Sequence, residues 1–306
     1  MGNIRTDMAL EIRQSMKKAP GGVKVEEHKT HLGMRVTRVD IENARGSRAM
    51  GRPVGSYVTV ETEPGSLLEG KLLTAMEKEI GRQIKALAKE AIEGTVLVVG
   101  LGNRQVTPDA LGPKAVENVL VTRHIHAHLP EFLEGRAGDV CALAPGVLGV
   151  TGLETAETVR AVCRQVKPSL VVAIDALAAR SSHRIGTSVQ LCDTGIAPGS
   201  GIGNHRSALD RASLGARVLG IGVPMVVYAS TVASDLLEAA LGSRAGEKEI
   251  SAFKDILCRA EGSDLIVTPK NVDMLVRQAA LLIAGGINRA LHPKLSGQEL
   301  AGLLAE

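Results

Sequence analysis

Thr95–Gly102, TVLVVGLG, is apolar almost from end to end and closes on Gly-Leu-Gly. A stretch so short with no polar face suits a strand covered on both sides, as in a parallel sheet. The chain then passes through NRQVTP to DALGPKAVENVL, which starts a helix with Pro113 in its first turn. Working outward, VCALAPG (140–146) and SLVVAID (169–175) are two more such strands, with a helix over 154–166 between them. TSVQLCD (187–193) and RVLGIGVP (217–224) follow as strands, and helices over 230–241 and 272–290 close the pattern. Strands alternating with helices predict an α/β fold: a mostly parallel sheet, right-handed crossovers and flanking helices.

Upstream of this core, residues 7–18 place Met8, Ile12 and Met16 on one helical face. GMRVTRVDIEN (33–43) and GSYVTVETE (55–63) alternate apolar and polar residues, which predicts two strands joined by a Gly- and Arg-rich turn. A long amphipathic helix spans 66–93, with Leu68, Leu72, Met76, Ile80, Ile84 and Leu87 in one stripe. No linker or repeat divides the chain. The expected organisation is one domain over 8–306, with an added hairpin and helix (8–93) on an α/β core (94–291).

The composition narrows the function classes. Of 306 residues 44% are hydrophobic, yet the aromatics are only Tyr57, Phe132, Tyr228 and Phe253. The core is therefore aliphatic, and base stacking on nucleic acid is not expected. A net charge of +3 with scattered basic residues describes a solvated surface rather than a nucleic-acid footprint. Cys141, Cys163, Cys192 and Cys258 show no zinc-type spacing and suggest a reducing compartment. The N-terminus has no apolar signal-peptide core, and no apolar run is long enough to span a membrane. The expectation is a cytoplasmic protein.

Chemistry concentrates on acids at strand ends. Asp109 follows the 95–102 strand, Asp175 ends the 169–175 strand in a second Asp-Ala-Leu, and Asp193 ends the 187–193 strand. In open α/β sheets, sites form beyond the carboxyl ends of strands, so three carboxylates are expected to converge there. The competing role for each is capping the next helix. Two facing carboxylates share one proton: the anion activates water and the acid polarises a carbonyl. The same pair can hold a divalent metal.

Other motifs are weaker. GSGIGNHR (199–206) lacks the last glycine of a dinucleotide fingerprint and is expected to be a tight loop beside the site. Ser200 and His205 lack a nucleophile elbow. His124, His126 and His128 share one face if their segment is extended, a metal-site pattern that competes with a plain solvated cluster. His28, His31, His183 and His292 are expected at the surface, and Cys192 in buried structure. Around the acid pair, Asn103, His124, Asp193 and Ser200 are the candidates for supporting roles.

Seven blocks carry a resemblance. They are IRTDMALE (4–11), GRPVGSYVTVE (51–61), VLVVGLGNRQVTPDALGPKAVENVLVTRH (96–124), ALAPGVLGVTGLETAE (142–157), KPSLVVAIDALAARS (167–181), DTGIAPGSGIGNHR (193–206) and LGIGVPMVVYAST (219–231). Together they resemble the germination protease (GPR endopeptidase) family of spore-forming bacteria over about residues 4–290. The resemblance implies an atypical aspartic endopeptidase with Asp109 and Asp175 as its acids and no cofactor. It also implies a three-layer fold like that of the hydrogenase maturation proteases, where the corresponding acids contact nickel. It further implies small acid-soluble spore proteins as substrates, a spore-core location, a homotetramer and a self-cleaving precursor. Such substrates are cut after an acid that is followed by an apolar residue, Ala, a variable position and Glu. Asp7–Glu11, DMALE, has that form, which places self-cleavage between Asp7 and Met8 and makes 1–7 a short propeptide. A rival resemblance, to the esterase peptidyl-tRNA hydrolase, would make Asn103 and His124 the working pair. Its spacing is wrong, and Ile125 stands where that family has Asn.

Overall fold

Alternate residues of the apolar runs enter two different cores. Val96 and Val98 pack in one cluster and Leu97 and Val99 in another; Leu170, Val172 and Ile174 divide likewise from Val171 and Ala173. Strands buried on both faces require helices on both, so the molecule has three layers. The computed structural model describes residues 6–30, 32–63, 70–128, 131, 135–199, 207–241, 246–257 and 260–305.

Among the described residues the strands are β1 (Val23–Lys29), β2 (Arg35–Ile41), β3 (Gly55–Glu61), β4 (Val96–Gly100), β5 (Val140–Leu143), β6 (Leu170–Ala179), β7 (Ser188–Cys192), β8 (Arg217–Tyr228) and β9 (Ile266–Val267). They form one open sheet in the order β1-β2-β3-β7-β8-β6-β4-β5, with β9 paired to β8. β5, β4, β6 and β8 are parallel. β7, β3, β2 and β1 extend the sheet antiparallel. The fold class is thus the predicted α/β one, and β3 joins the predicted hairpin to the core sheet through β7.

Helices Gly70–Ala88 and Val272–Leu291 cover one face. They approach so closely that a Cβ on Gly286 would lie 2.5 Å from Ile80 Cγ2. Ile80 is fully buried at that crossing. Ile80→Ala is therefore expected to cost about 2–5 kcal/mol, seen as a lower denaturant midpoint at unchanged slope. Helices Thr155–Val166 and Arg211–Leu214 cover the other face. No helix among the described residues is long and apolar enough to cross a membrane.

Several elements differ from the sequence reading. The predicted turn after β2 is a helix, Ala44–Met50, started by the Asn43 side chain accepting from Arg45 N and Gly46 N, both at 3.0 Å. β1 was not foreseen: only Val23 of its residues is buried, and its ladder with β2 holds it. The first helix covers only Ala9–Gln14; of the helix predicted over 66–93 the described part is Gly70–Ala88 followed by a 3-10 turn, Lys89–Glu93, and residues 66–69, with Leu68, lie outside the described residues. His292, expected at the surface, is fully buried, with Nε2 3.1 Å from Leu120 O.

The path of the chain locates the crevice. From β4 it continues to β5 on one side, whereas after β6 it leads through β7 to β8 on the other. Strand order thus reverses between β4 and β6, and their carboxyl ends border the opening where ligands bind in such sheets.

Candidate active site

Asp109 is set by the loop off β4. That strand ends at Gly100 opposite Ile174, and Leu101 N still donates to Ile174 O at 2.8 Å. Gly102 then takes φ 113°, and a Cβ there would lie 2.0 Å from Asp109 O. Asn103 N donates to Asp109 Oδ2 at 2.6 Å, while Asn103 Oδ1 accepts from Gln105 N at 3.0 Å. The Thr107–Asp109 turn packs on β6, β8 and the Val272–Leu291 helix. The glycines of Gly-Leu-Gly thus fold the acid back over the strand end. Gly102→Ala is expected to cost about 2–3 kcal/mol from backbone strain, measurable by thermal unfolding.

Asp175 stands on β6 immediately beyond Ile174, the partner of β4's last residue. It does not end its strand as predicted. β6 runs on to Ala179 because its ladder with β8 continues to that point. Asp175 is buried, and its Oδ1 accepts from Ala176 N at 2.9 Å. By alternation it shares the sheet face of Val171 and Ala173. There it lines a cavity of about 110 Å³ with Asp7, Arg52, Leu177, Gln190, Gly220 and Gly222. A Cβ on Gly222 would lie 2.5 Å from Leu177 Cγ, and one on Gly220 would lie 2.9 Å from Cys192 Sγ. The two glycines of LGIGVP therefore make room for the Leu177 and Cys192 side chains, which line the cavity with them.

The chain's own Thr6–Glu11 segment occupies this region. Asp7 N donates to Ala178 O and Ala178 N to Asp7 Oδ2, both at 2.9 Å. Arg52 Nη2 donates to Thr6 O at 2.7 Å and lies 3.7 Å from Asp7 Oδ1. Gln190 uses both ends of its amide: Nε2 donates to Asp7 O at 3.1 Å, and Oε1 accepts from Ala9 N at 2.7 Å. Gln190 and Asp175 both pair with Gly222, while Asp7 itself bonds to Ala178, three residues further along β6. Met8 is fully buried in an apolar cluster with Ala179, Ile185 and Val227.

The other candidates separate. β7 runs against β6 and β8, so Asp193 lies toward the amino ends of those strands and its Oδ1 accepts from Ser56 N at 2.8 Å. Of the three expected acids only Asp175 lines the cavity; neither Asp193 nor Asp109 is among its lining residues. His124 belongs to a helix, Arg123–His128, at the start of β5, since Thr122 N donates to Val140 O. That is the opposite sheet edge from Asn103, which undoes the esterase pairing. Helical geometry also takes His126 off the face of His124 and His128, and His126 Nε2 lies 3.1 Å from Ala137 O. Ser200 and His205 lie outside the described residues. Burial pushes the Cys192 thiol up, and its Sγ donates to Gly195 O at 3.1 Å, a structural role. Among the described residues no group of three or more His, Cys, Asp or Glu side chains is placed to hold a metal ion.

Sequence reasoning missed Arg52, Gln190 and the two glycines of the cavity wall. Only the alternation of glycines in Leu219–Val223 signalled a strand face that neighbouring side chains approach closely.

A cleft at a strand-order reversal that grips polypeptide by its backbone beside a buried acid defines an α/β protein built to handle peptides. The germination protease family profile matches residues 4–256. A germination protease of Caldanaerobacter subterraneus subsp. tengcongensis is 43% identical, with 98% of each chain covered. One from Clostridium perfringens (strain ATCC 13124) is 39% identical, covering 96% of this chain and 97% of the relative. Another from Bacillus subtilis (strain 168) is 36% identical, covering 96% and 94%. The chain belongs to the germination protease family: it is a peptidase, a hydrolase acting in spore germination.

Proposed function

We propose that this chain is a two-aspartate endopeptidase that begins the breakdown of small acid-soluble spore proteins in the spore core. It is made as a precursor that cuts its own Asp7–Met8 bond, and it assembles as a homotetramer. The observation that carries this reading is the Thr6–Ala9 segment, gripped by Arg52, Ala178 and Gln190 in the cavity that Asp7 and Asp175 both line.

In the reaction, one carboxylate of the Asp109–Asp175 pair takes a proton from water as its oxygen bonds to the carbonyl carbon. The other, protonated, donates to the carbonyl oxygen. The carbon–nitrogen bond then breaks, and the proton passes to the departing amine. Asn103 supports Asp109 through its backbone N–H. No cofactor enters. A metal-bridged pair, as in the hydrogenase maturation proteases, would need further ligands, and among the described residues no group of three or more His, Cys, Asp or Glu side chains is placed to hold an ion.

The test incubates the chain with a small acid-soluble spore protein, with and without a chelator. Cleavage after an acidic residue, insensitive to the chelator, and a new N-terminus at Met8 are expected. Chelator-abolished activity restored by metal, or a different new N-terminus, would overturn the corresponding part.

A further inference from the structure

A second cavity, of about 360 Å³, opens at the end of the sheet opposite the crevice. Its walls come from the turn before β4, the residues that lead into β6 and the start of β8: Glu90 and Ala91, Pro168 and Ser169, Ala216 and Arg217. Arg211 completes it from the short helix Arg211–Leu214. None of these groups has a part in the proposed cleavage.

The walls are held by the ends of the sheet. Ser169 N donates to Thr95 O at 2.9 Å, and its hydroxyl donates to Ala91 O at 2.7 Å. Arg217 stands opposite Leu170 at the first position of the β6–β8 ladder. Gly215, at φ 72°, ends the short helix, and its N–H donates to Arg211 O at 3.0 Å. That turn brings Arg211 and Arg217 to the border of one space.

The charges at this cavity are not spent on the fold. Elsewhere guanidiniums find carboxylates: Arg184 lies 2.7 Å from Glu61, and Arg289 lies 2.8 Å from Glu77. Arg211, Arg217 and Glu90 make no ion pair or side-chain hydrogen bond with any described residue. The cavity therefore offers two cations and one anion, with apolar wall at Ala91, Pro168 and Ala216.

We propose that this cavity binds an acidic amino acid, a ligand with two carboxylates and one ammonium group. Each guanidinium presents a fork of N–H donors that fits a carboxylate, while Glu90 and the Ser169 oxygen accept from the ammonium. The ligand's methylenes lie along the apolar wall. The space takes one small molecule and no folded partner. A plain inorganic dianion satisfies the cations but sets its own charge against Glu90. The site also adjoins the catalytic region. Asp210, the residue before Arg211, caps the short helix by accepting from Ser213 N at 2.8 Å, and it lines the cavity of Asp175. β8 likewise carries Arg217 at one cavity and Gly220 and Gly222 at the other. A bound amino acid thus braces two walls of the Asp175 cavity.

The test titrates the full chain calorimetrically with L-glutamate, L-glutamine, glutarate and sulfate. L-glutamate is expected to bind at least about 10-fold more tightly than each of the others: glutamine lacks one carboxylate, glutarate the ammonium, and sulfate the ammonium and the second carboxylate. Arg211→Gln and Arg217→Gln each weaken L-glutamate by about 10-fold or more. Glu90→Gln abolishes the preference over glutarate and keeps the preference over glutamine. Circular dichroism melts check folding, and L-glutamate raises the wild-type midpoint. Sulfate bound as tightly as L-glutamate overturns the proposal, as does a lack of saturable L-glutamate binding at millimolar concentration. An unchanged glutamate-to-glutarate ratio in Glu90→Gln overturns it too. If one variant does not fold, the other two and the four-ligand comparison decide the matter.

Discussion

Asp175→Asn and Asp109→Asn, made separately, are each expected to lower kcat/KM on a spore-protein substrate by about 10³-fold or more. Each is also expected to stop self-cleavage after Asp7. In the proposed mechanism the two acids act as a pair, so removing one removes both roles: no anion with a neighbouring acid remains to split the work of activating water and polarising the carbonyl. The double variant is therefore expected to be little worse than either single one. Asn is nearly isosteric and keeps an acceptor, so Ala176 N at Asp175 and Asn103 N at Asp109 retain partners. The fold should survive, as near-unchanged melting would show. Substantial cleavage by either well-folded variant would defeat the two-aspartate mechanism.

Gln190→Ala should slow self-cleavage by roughly 30- to 150-fold. The estimate takes two hydrogen bonds of about 1–1.5 kcal/mol each, converted to a rate at about 1.4 kcal/mol per decade. The side chain spans Met8, bonding Asp7 O on one side and Ala9 N on the other. Without it, the carbonyl of the bond to be cut is free to rotate away from the acids. Gln190→Glu sharpens the prediction. It keeps the acceptor for Ala9 N but sets a carboxylate against Asp7 O, so it should be at least as slow. The readout is the rate at which the Met8 N-terminus appears, by mass spectrometry of timed samples. Unchanged rates in both variants would show that the clamp has no part in positioning the bond.

Asp109 and Asp175 were legible as candidates in the sequence alone. Asp109 and Asp175 each follow an apolar run too short and too uniformly hydrophobic to be anything but a strand buried on both faces. Strand direction was the missing quantity. TSVQLCD has the composition of a strand in either orientation, and only its ladders with β3 and β8 show that β7 runs antiparallel. That reversal is why Asp193 supports Ser56 instead of joining the acids. His124 was misplaced for a related reason, because proximity in sequence to the Asp109 loop says nothing about which edge of the sheet a segment returns to. Arg52 and Gln190 gave no local signal, since each works on a segment far away in the chain.

What the sequence determined by itself is whatever depends on neighbours a few positions away. It carried the apolar strands, the amphipathic helices, the glycines that turn the chain off β4, and the two acids that follow those apolar runs. Tertiary structure alone decided which of the expected acids lines the cavity, and how Thr6–Ala9 is held by Arg52, Ala178 and Gln190. Those outcomes follow from pairing order and strand direction across the sheet. These are set by the summed burial and hydrogen bonding of the whole chain rather than by any single stretch of it.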